Sequence, residues 1–357
     1  MKNVRGKKYR IPAVLGLSML CLALLFGSLT FMANAKDKNN DVMLTSFDKL
    51  TLVFAGDMQF TGTVADRIKK NGTGYPFAEV TPILKQADFA LGNLETTLTT
   101  RGSAQDKQFT FRSDPRMAKA IADSGFDAVG LANNHTLDFG EDALSDTIDF
   151  VKKAGLLPLG AGKNAAEATK IQYITKKGKT IALLNYSRVL PSTSWIAGKN
   201  KPGLASAYDP KSVYAKVKEA RKNADIVVVF IHWGKERMTT PEAYQSEMGH
   251  QLVDAGADMV IGHHSHIMQP VEWYKGKLIA YSLGNFIFTN SRTDRSNQTA
   301  LLNVEVSGSR LQASLVPARI TNGQPRLLQG SEKAEFLRFM DRMSRNATIK
   351  SDGTITP

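Results

Sequence analysis

The sequence predicts an α/β fold, and three observations favour it. Short apolar segments of strand length alternate with amphipathic helical segments along most of the chain. These strands are apolar throughout rather than alternately polar, as expected where both faces of a sheet are covered. The chain has 357 residues, 42% of them hydrophobic, which is enough to bury the core of such a layered domain.

Five apolar strands run directly into polar turns. They are LTLVFAGD, QADFALGNLE, FDAVGLANNH, ADIVVVFIHWG and ADMVIGHH. The periodicity between them predicts helices at Pro115–Ser124, Glu141–Ala154, Asp209–Asn223 and Pro241–Ala255. From Val271 the pattern indicates two hairpins, about Lys275-Gly276 and Gly308, whose strands extend the sheet or build a second one against it. A last helix is expected at Glu332–Arg345, before a loose tail at Asn346–Pro357.

The N-terminal 35 residues are typical of an export signal. Five basic residues precede an apolar run from Ile11 to about Met32, and Ala33-Asn34-Ala35 follows as a cleavage site. The run is also long enough to span a bilayer, so residues 1–35 are predicted as a signal peptide or an N-terminal membrane anchor. Either way, the rest is expected at the outer face of the cytoplasmic membrane, or secreted after cleavage. Residues 36–48 are polar and predict a flexible tether.

Charge and cysteine usage exclude some functions. Net charge is +13, but the leader contributes five basic residues and no acid, so the remainder is mildly basic. No basic stripe interleaved with aromatic residues indicates nucleic-acid binding. A solvated surface explains the lysines, and attraction for an anionic polymer is the alternative. The single cysteine, Cys21, lies in the apolar run, so the exported part has no disulfide.

Each of the five strands ends in side chains that bind metals. The clusters are Gly56-Asp57, Gly92-Asn93-Leu94-Glu95, Asn133-Asn134-His135 with Asp138, His232-Trp233-Gly234-Lys235-Glu236, and Gly262-His263-His264-Ser265-His266. Ligands of open α/β sheets bind beyond the carboxyl ends of the strands, where these clusters converge. Taken singly, each has an ordinary explanation as a helix cap, a turn or a core histidine.

The last cluster is the most specific one. His264 and His266 are two residues apart, and in extended backbone such side chains face the same way and reach one metal or two adjacent ones. With no thiolate, a closed structural zinc site is excluded. Imidazole, carboxylate and amide ligands favour one or two divalent ions, manganese, zinc or iron, in an open site suited to hydrolysis.

The motifs GNLET, ANNHTLDFG, HWGKE, GHHSH and YSLGNF, in this order from about Leu50 to Phe288, resemble the CapA family. That family of capsule-synthesis proteins is linked to poly-γ-glutamate and is similar to the calcineurin-like metallophosphoesterases. The resemblance implies a sandwich of two mixed sheets flanked by helices (αββα). With the pattern of the chain, it predicts this domain over residues 49–325, followed by a C-terminal helix and loose tail at 326–357. It also implies membrane ligase and transport subunits as partners.

The resemblance further assigns roles to side chains. As metal ligands it implies Asp57, Glu95, Asn134, His232, His264 and His266. As catalytic residues it implies His135, with Asp138 and Glu236 orienting it or acting as general acid or base. His263 is expected to point away and pack.

Two departures from the wider superfamily affect the expected chemistry. Asp57 is followed by Met58 and Gln59 where the superfamily has D-x-H, so one metal position lacks a histidine ligand. Glu95 stands where Asp is usual. Two hypotheses therefore remain: an exported metal-dependent hydrolase in capsule or poly-γ-glutamate synthesis, and a non-catalytic subunit of a polymer synthesis and export complex.

Overall fold

The computed structural model describes residues 49–357. The predicted signal or anchor (1–35) and tether (36–48) lie outside the described residues. Within residues 49–357, no helix has the length and apolar character needed to cross a membrane. Residues Leu50–Pro357 form one compact unit.

The strands and helices of this unit are numbered in chain order. The strands are β1 (Leu50–Met58), β2 (Phe89–Leu94), β3 (Thr97–Leu98), β4 (Arg112–Ser113), β5 (Ala128–Gly130), β6 (Leu157–Leu159), β7 (Ala161–Gly162), β8 (Gln172–Lys176), β9 (Lys179–Ser187), β10 (Gly203–Leu204), β11 (Ile226–His232), β12 (Met259–His263), β13 (Val271–Tyr274), β14 (Lys277–Ala280), β15 (Asn285–Ile287), β16 (Gln298–Ser307), β17 (Arg310–Thr321), β18 (Gln324–Leu327), β19 (Thr348–Ile349) and β20 (Thr354–Thr356). The helices are α1 (Gly62–Asn71), α2 (Thr81–Gln86), α3 (Met117–Asp123), α4 (Glu141–Lys153), α5 (Ala165–Ala168), α6 (Pro210–Arg221), α7 (Ala243–Asp254) and α8 (Gly330–Met343).

Two mixed sheets dominate the described residues. The first sheet has the order β19-β20-β17-β16-β1-β2-β5-β6, with β15 paired to β1 and β18 to β17. The second has the order β13-β14-β12-β11-β9-β8. The central pairs β1–β2, β2–β5, β9–β11 and β11–β12 are parallel, so their carboxyl ends lie at the same edge of each sheet.

The core shows the layers of the fold. One apolar cluster joins alternate residues of both sheets, including Phe54, Leu91, Phe230 and Ile261, and is therefore the interior of a sandwich. Two further clusters pack α3 and α4 against the first sheet, and α6 and α7 against the second. The predicted αββα architecture is confirmed, because both outer sheet faces bury apolar side chains under helices.

Both predicted hairpins are present, and they resolve the alternative left open by the sequence. The β13–β14 hairpin turns at Lys275-Gly276 and extends the second sheet. The β16–β17 hairpin turns at Gly308 and joins the first sheet beside β1. The C-terminal strands thus build both sheets rather than one.

The predicted loose tail is wrong for the last twelve residues. β19 and β20 pair with each other, and β20 also pairs with β17, so the tail forms the edge of the first sheet. Ile349 and Ile355 are buried in the core of the sandwich. β18 also pairs with β17 beyond residue 325, the predicted end of the domain. Apolar burial therefore fixes a segment whose two strands are too short to show a periodic pattern.

Candidate metal centre

The polar clusters meet at the carboxyl ends of the strands, between the two sheets. Asp57 lies opposite Asn93 in the β1–β2 ladder, and His232 lies opposite His263 in the β11–β12 ladder. The main-chain N–H of His264 donates to a carboxylate oxygen of Asp57, 3.3 Å away, and so links the two sheets. The strand-end clusters therefore form one site at one edge of the sandwich.

Glu95 is the buried carboxylate at the centre of this site. Neither of its carboxylate oxygens has a hydrogen-bond partner among the described residues. Burial raises the pKa of Glu95 well above its usual range, and the charges of Asp57 and Glu236 raise it further. An ionised carboxylate in such surroundings is costly unless a cation binds to it. The side chain thus has the environment of a metal ligand.

His264 and His266 converge on Glu95. One ligand atom from each of these three residues lies within 4.8 Å of the others, which makes them candidate ligands of one metal ion. The Nδ1 atom of His264 is buried without a hydrogen-bond partner among the described residues. Burial, with His266 nearby, lowers the pKa of His264 to about 3, so its ring is neutral and able to bind a cation.

The convergence of the two histidines does not follow from strand alternation. β12 ends at His263, and both ligand residues have left-handed backbone, with φ of 89° at His264 and 56° at His266. Such conformations are strained for non-glycine residues and occur most often at functional sites. The two imidazoles lie close together as expected, but a tight turn rather than strand alternation brings them together. His263 packs inside, as expected, with its ring 4.0 Å from that of Phe230.

His232 and Asn134 form a second group of ligand atoms beside Glu95. The Nε2 atom of His232 lies 2.8 Å from Asn134 Oδ1 and 3.5 Å from Glu95 Oε1. Burial lowers the pKa of His232 well below its usual value, and His264 lowers it further. The donors of the site, carboxylate and amide oxygens with neutral imidazoles, fit a divalent ion such as manganese, zinc or iron.

Asp57 faces the site, whereas Gln59 does not. Asp57 accepts a hydrogen bond of 2.8 Å from the Asn93 amide and lies 3.6 Å from His266 Nδ1. Gln59 instead accepts from the backbone N–H of Thr61 at 2.6 Å and donates to Thr289. The residue at the position of the superfamily histidine therefore stabilises a turn outside the cluster.

His135 is held by Asp138 and by a lysine that the sequence analysis missed. His135 Nδ1 lies 2.6 Å from Asp138 Oδ2, which also accepts the backbone N–H of Phe111 at 2.6 Å. Lys107 donates to Asp138 Oδ1 at 2.7 Å and to the carbonyl of Asn134 at 2.6 Å. Both oxygens of Asp138 are thus engaged, which favours the orienting role over the acid–base role. Burial lowers the pKa of His135.

Glu236 lies further out than the other predicted residues. It is exposed, on the loop that follows β11, and contributes its charge to the raised pKa of Glu95. The structure therefore brings eight predicted residues into one buried or half-buried group and leaves Glu236 at the rim. They are Asp57, Glu95, Asn134, His135, Asp138, His232, His264 and His266.

Asn285 is the second side chain that the sequence analysis missed. It lies in the motif YSLGNF, and its Oδ1 is 2.8 Å from His266 Nδ1. Its parallel pairing with Asp57 brings it to the site. An available signal is its position after a glycine at a strand start, but that pattern is equally typical of an ordinary turn.

The model of the family described as bacterial capsule synthesis protein PGA_cap matches residues 51–290. The chain belongs to this family. It is 32% identical over 332 residues to the PGA biosynthesis protein CapA of Bacillus subtilis (strain 168), covering 91% of this chain and 87% of that protein. It is 34% identical over 289 residues to the capsule biosynthesis protein CapA of Bacillus anthracis, covering 78% and 69%.

A third relative extends the family beyond bacilli. The chain is 30% identical over 298 residues to a probable polyglutamine synthesis accessory protein of Mycobacterium tuberculosis (strain ATCC 25618 / H37Rv), covering 77% of this chain and 78% of that protein. The family membership predicted from the five motifs is confirmed.

Proposed function

We propose that this chain acts in the synthesis of a capsule or polyglutamate-type polymer through a divalent-metal hydrolase site. The observation that carries the proposal is Glu95, a buried carboxylate without hydrogen bonds and within 4.8 Å of ligand atoms of His264 and His266. The names of the two CapA relatives support the role in polymer synthesis. A scaffold has no need of such costly polar groups in one place.

The residues have distinct roles in this proposal. The ion is held by Glu95, His264 and His266, with His232, Asn134 and Asp57 adjoining. A divalent ion there supplies Lewis-acid chemistry that activates a water molecule and neutralises charge developing on the substrate.

His135 passes a proton to the leaving group in this scheme. Its Nδ1–H donates to Asp138, so Nε2 of the neutral ring carries no proton at the start; Nε2 accepts one from the attacking water and passes it to the leaving group. Lys107 fixes the other oxygen of Asp138 and the main chain of Asn134, so it holds the imidazole and an adjoining ligand in register. Burial around Glu95 and His264 excludes bulk water and strengthens every charge interaction at the site.

The second candidate function is that of a non-catalytic subunit. One specific observation favours it, since Gln59 points away from the site and leaves one metal position without the superfamily histidine. The mycobacterial relative is also named a probable accessory protein. In this case the site has a structural role, and the protein works through contacts with membrane ligase and transport subunits.

We also propose that the domain lies outside the cytoplasmic membrane, tethered or secreted. The predicted leader of residues 1–35 supports this location. There the mildly basic surface meets a polymer of opposite charge as it emerges. Protease accessibility in intact cells tests this location, because a cytoplasmic domain is protected.

Metal content and complementation distinguish the two functions. We expect the full-length chain to retain manganese, zinc or iron at micromolar concentration, and the double variant His264→Ala/His266→Ala to lose it. We also expect metal-dependent turnover on at least one substrate among phosphomonoesters, phosphodiesters and polyglutamate. A wild-type chain that retains none of these metals contradicts the hydrolase proposal. Polymer production restored by Asp57→Ala in a deletion strain supports the subunit function instead.

A further inference from the structure

Two similar groups of ligand atoms lie on either side of Glu95. On one side, His232 Nε2 is 3.5 Å from Glu95 Oε1 and 2.8 Å from the amide oxygen of Asn134. On the other, His266 Nδ1 is 3.9 Å from Glu95 Oε2 and 2.8 Å from the amide oxygen of Asn285. Each carboxylate oxygen thus lies near one imidazole nitrogen, which is itself 2.8 Å from an amide oxygen.

The second group also contains Asp57. Its Oδ2 lies 3.6 Å from His266 Nδ1, so three oxygen-bearing side chains surround that nitrogen atom. Ligand atoms bound to one ion at about 2.1 Å lie roughly 3 Å apart at the usual coordination angles. The separation between His266 and Asn285 matches this geometry. The separation to Glu95 closes with a small rotation of that side chain, which has no hydrogen-bond partner among the described residues, whereas Asp57 Oδ2 also accepts the main-chain N–H of His264 at 3.3 Å.

The backbone places Asn285 there for a specific reason. β15 runs parallel to β1 with Asn285 opposite Asp57, and the N–H of Asp57 donates to Gly284 O at 2.9 Å. A Cβ atom on Gly56 would lie 2.0 Å from that same carbonyl oxygen, so only glycine allows this close approach. The sequence Gly56-Asp57 and Gly284-Asn285 therefore brings a carboxylate and an amide side by side.

Asn285 is also oriented. It is 3% exposed, and its Nδ2 donates to the carbonyl oxygens of Ser296 at 3.1 Å and of His266 at 3.3 Å. These bonds use the amide nitrogen and direct Oδ1 towards His266 Nδ1 and the site.

We propose that Asn285 is a metal ligand that takes the place of the histidine missing at Gln59. With Asp57, Glu95 and His266 it would complete a second ion position, leaving His264, His232 and Asn134 with Glu95 for the first, so that Glu95 would be shared by the two positions. When an ion binds there, His266 Nδ1 carries no proton and Asn285 Oδ1 accepts the cation instead of a hydrogen. The prevalence of carboxylate and amide oxygens in this set favours manganese.

The test is the number of Mn²⁺ ions bound per chain, and it rests on the proposed function only in assuming that the site binds divalent metal. We expect the full-length wild-type chain to bind two Mn²⁺ ions, with an electron paramagnetic resonance signal of an exchange-coupled pair. Asn285→Leu is expected to bind one ion with an uncoupled signal, the second being weakened at least about 100-fold. Asn285→Asp, which keeps an oxygen ligand, is expected to bind two.

The matched control is Gln59→Leu, at the position of the superfamily histidine. Because Gln59 points away from the site, this variant is expected to keep two coupled ions. Circular dichroism checks that each variant is folded, and if Asn285→Leu does not fold, the wild-type stoichiometry and the Gln59→Leu control still decide. A wild-type chain that binds a single ion overturns the inference and leaves the proposed function standing. So does Asn285→Leu with two coupled ions, whereas no binding by the wild type overturns both.

Discussion

Two buried glutamates in this molecule have opposite surroundings. Glu272, on β13, is 4% exposed, and both of its carboxylate oxygens are satisfied, by His250 Nε2 at 2.9 Å and by the hydroxyl of Tyr281 at 2.7 Å. Glu95 is more deeply buried, and neither of its oxygens has a partner among the described residues. Burial alone therefore does not distinguish a structural acid from a functional one, whereas hydrogen bonding does.

The difference shows where the fold places buried polar groups with and without hydrogen-bond partners. The Glu272 network joins α7 to β13 and to Tyr281, so both carboxylate oxygens have hydrogen-bond partners within the protein itself. Among the described residues, Glu95 and His264 Nδ1 at the carboxyl ends of the strands have no hydrogen-bond partner, and a bound cation is the compensation that we propose. Without an ion, these two groups lower the stability of the folded chain. The following substitutions and pH changes test this contrast between Glu95 and Glu272.

The largest effect is expected from Glu272→Leu. The substitution leaves the buried hydroxyl of Tyr281 without its acceptor and removes the bond to His250, which costs about 3 kcal/mol of unfolding free energy. Urea denaturation with and without EDTA measures this, and the loss is expected to be equal in both conditions. A variant as stable as the wild type would show that the hydrogen bonds of Glu272 do not stabilise the fold, which contradicts the contrast with Glu95.

An intermediate effect is expected on acidification of the metal-free chain. The pKa of His264 is about 3 in the folded state against an ordinary value of 6.5. The unfolded chain therefore takes up a proton below pH 6.5 that the folded chain refuses, and stability falls as the pH is lowered from 6.5 towards 3. Between pH 6.5 and 5 the loss from this histidine is about 2 kcal/mol.

His264→Gln isolates that contribution, because glutamine does not titrate. We expect urea denaturation in EDTA to give a smaller loss for the variant than for the wild type over the same pH range. Identical pH profiles for the two chains would contradict the assignment of a neutral, buried His264.

The smallest effect, and one of opposite sign to Glu272→Leu, is expected from Glu95→Leu. The raised pKa of Glu95 means that the folded metal-free chain loses stability as the pH rises above 4.5, where the unfolded carboxyl ionises. Replacing the acid with an apolar side chain of similar size stabilises the metal-free chain by about 1 kcal/mol at pH 7.5. The rise in melting temperature on adding Mn²⁺ is expected to disappear. A less stable variant in EDTA would indicate that Glu95 has a structural partner after all.

The sequence predicted the parts of the site that follow strands. Asp57, Glu95 and His232 each come at the end of an apolar segment, and parallel pairing alone brings such ends together. The reason given for His264 and His266 was incorrect, because periodicity carries no information about the left-handed turn that begins after β12. The tail at residues 346–357 was misread for a related cause, since a single buried isoleucine per short strand leaves no pattern.

Lys107 and Asn285 were missed in the sequence analysis for a different reason. Lys107 stands in a polar loop where any lysine is ordinary, and its bonds to Asp138 and Asn134 depend on how that loop folds back. Asn285 depends on the insertion of β15 beside β1, a pairing between the two ends of the domain. Local patterns do not encode which distant segments become neighbours.

The close approach of Gly56 and Gly284 also has a consequence for the order of assembly. Strand β1, the first of the domain, supplies Asp57. The strand β15 that pairs with β1 is made only after most of the domain has been synthesised. The hydrogen bond between Asp57 and His264 alone spans 207 residues. A chain that emerges from its N-terminus therefore carries half of the proposed cation site through most of its synthesis. An ion that binds there, as proposed, binds late, and the compartment in which the last strands fold decides which metal is available to it.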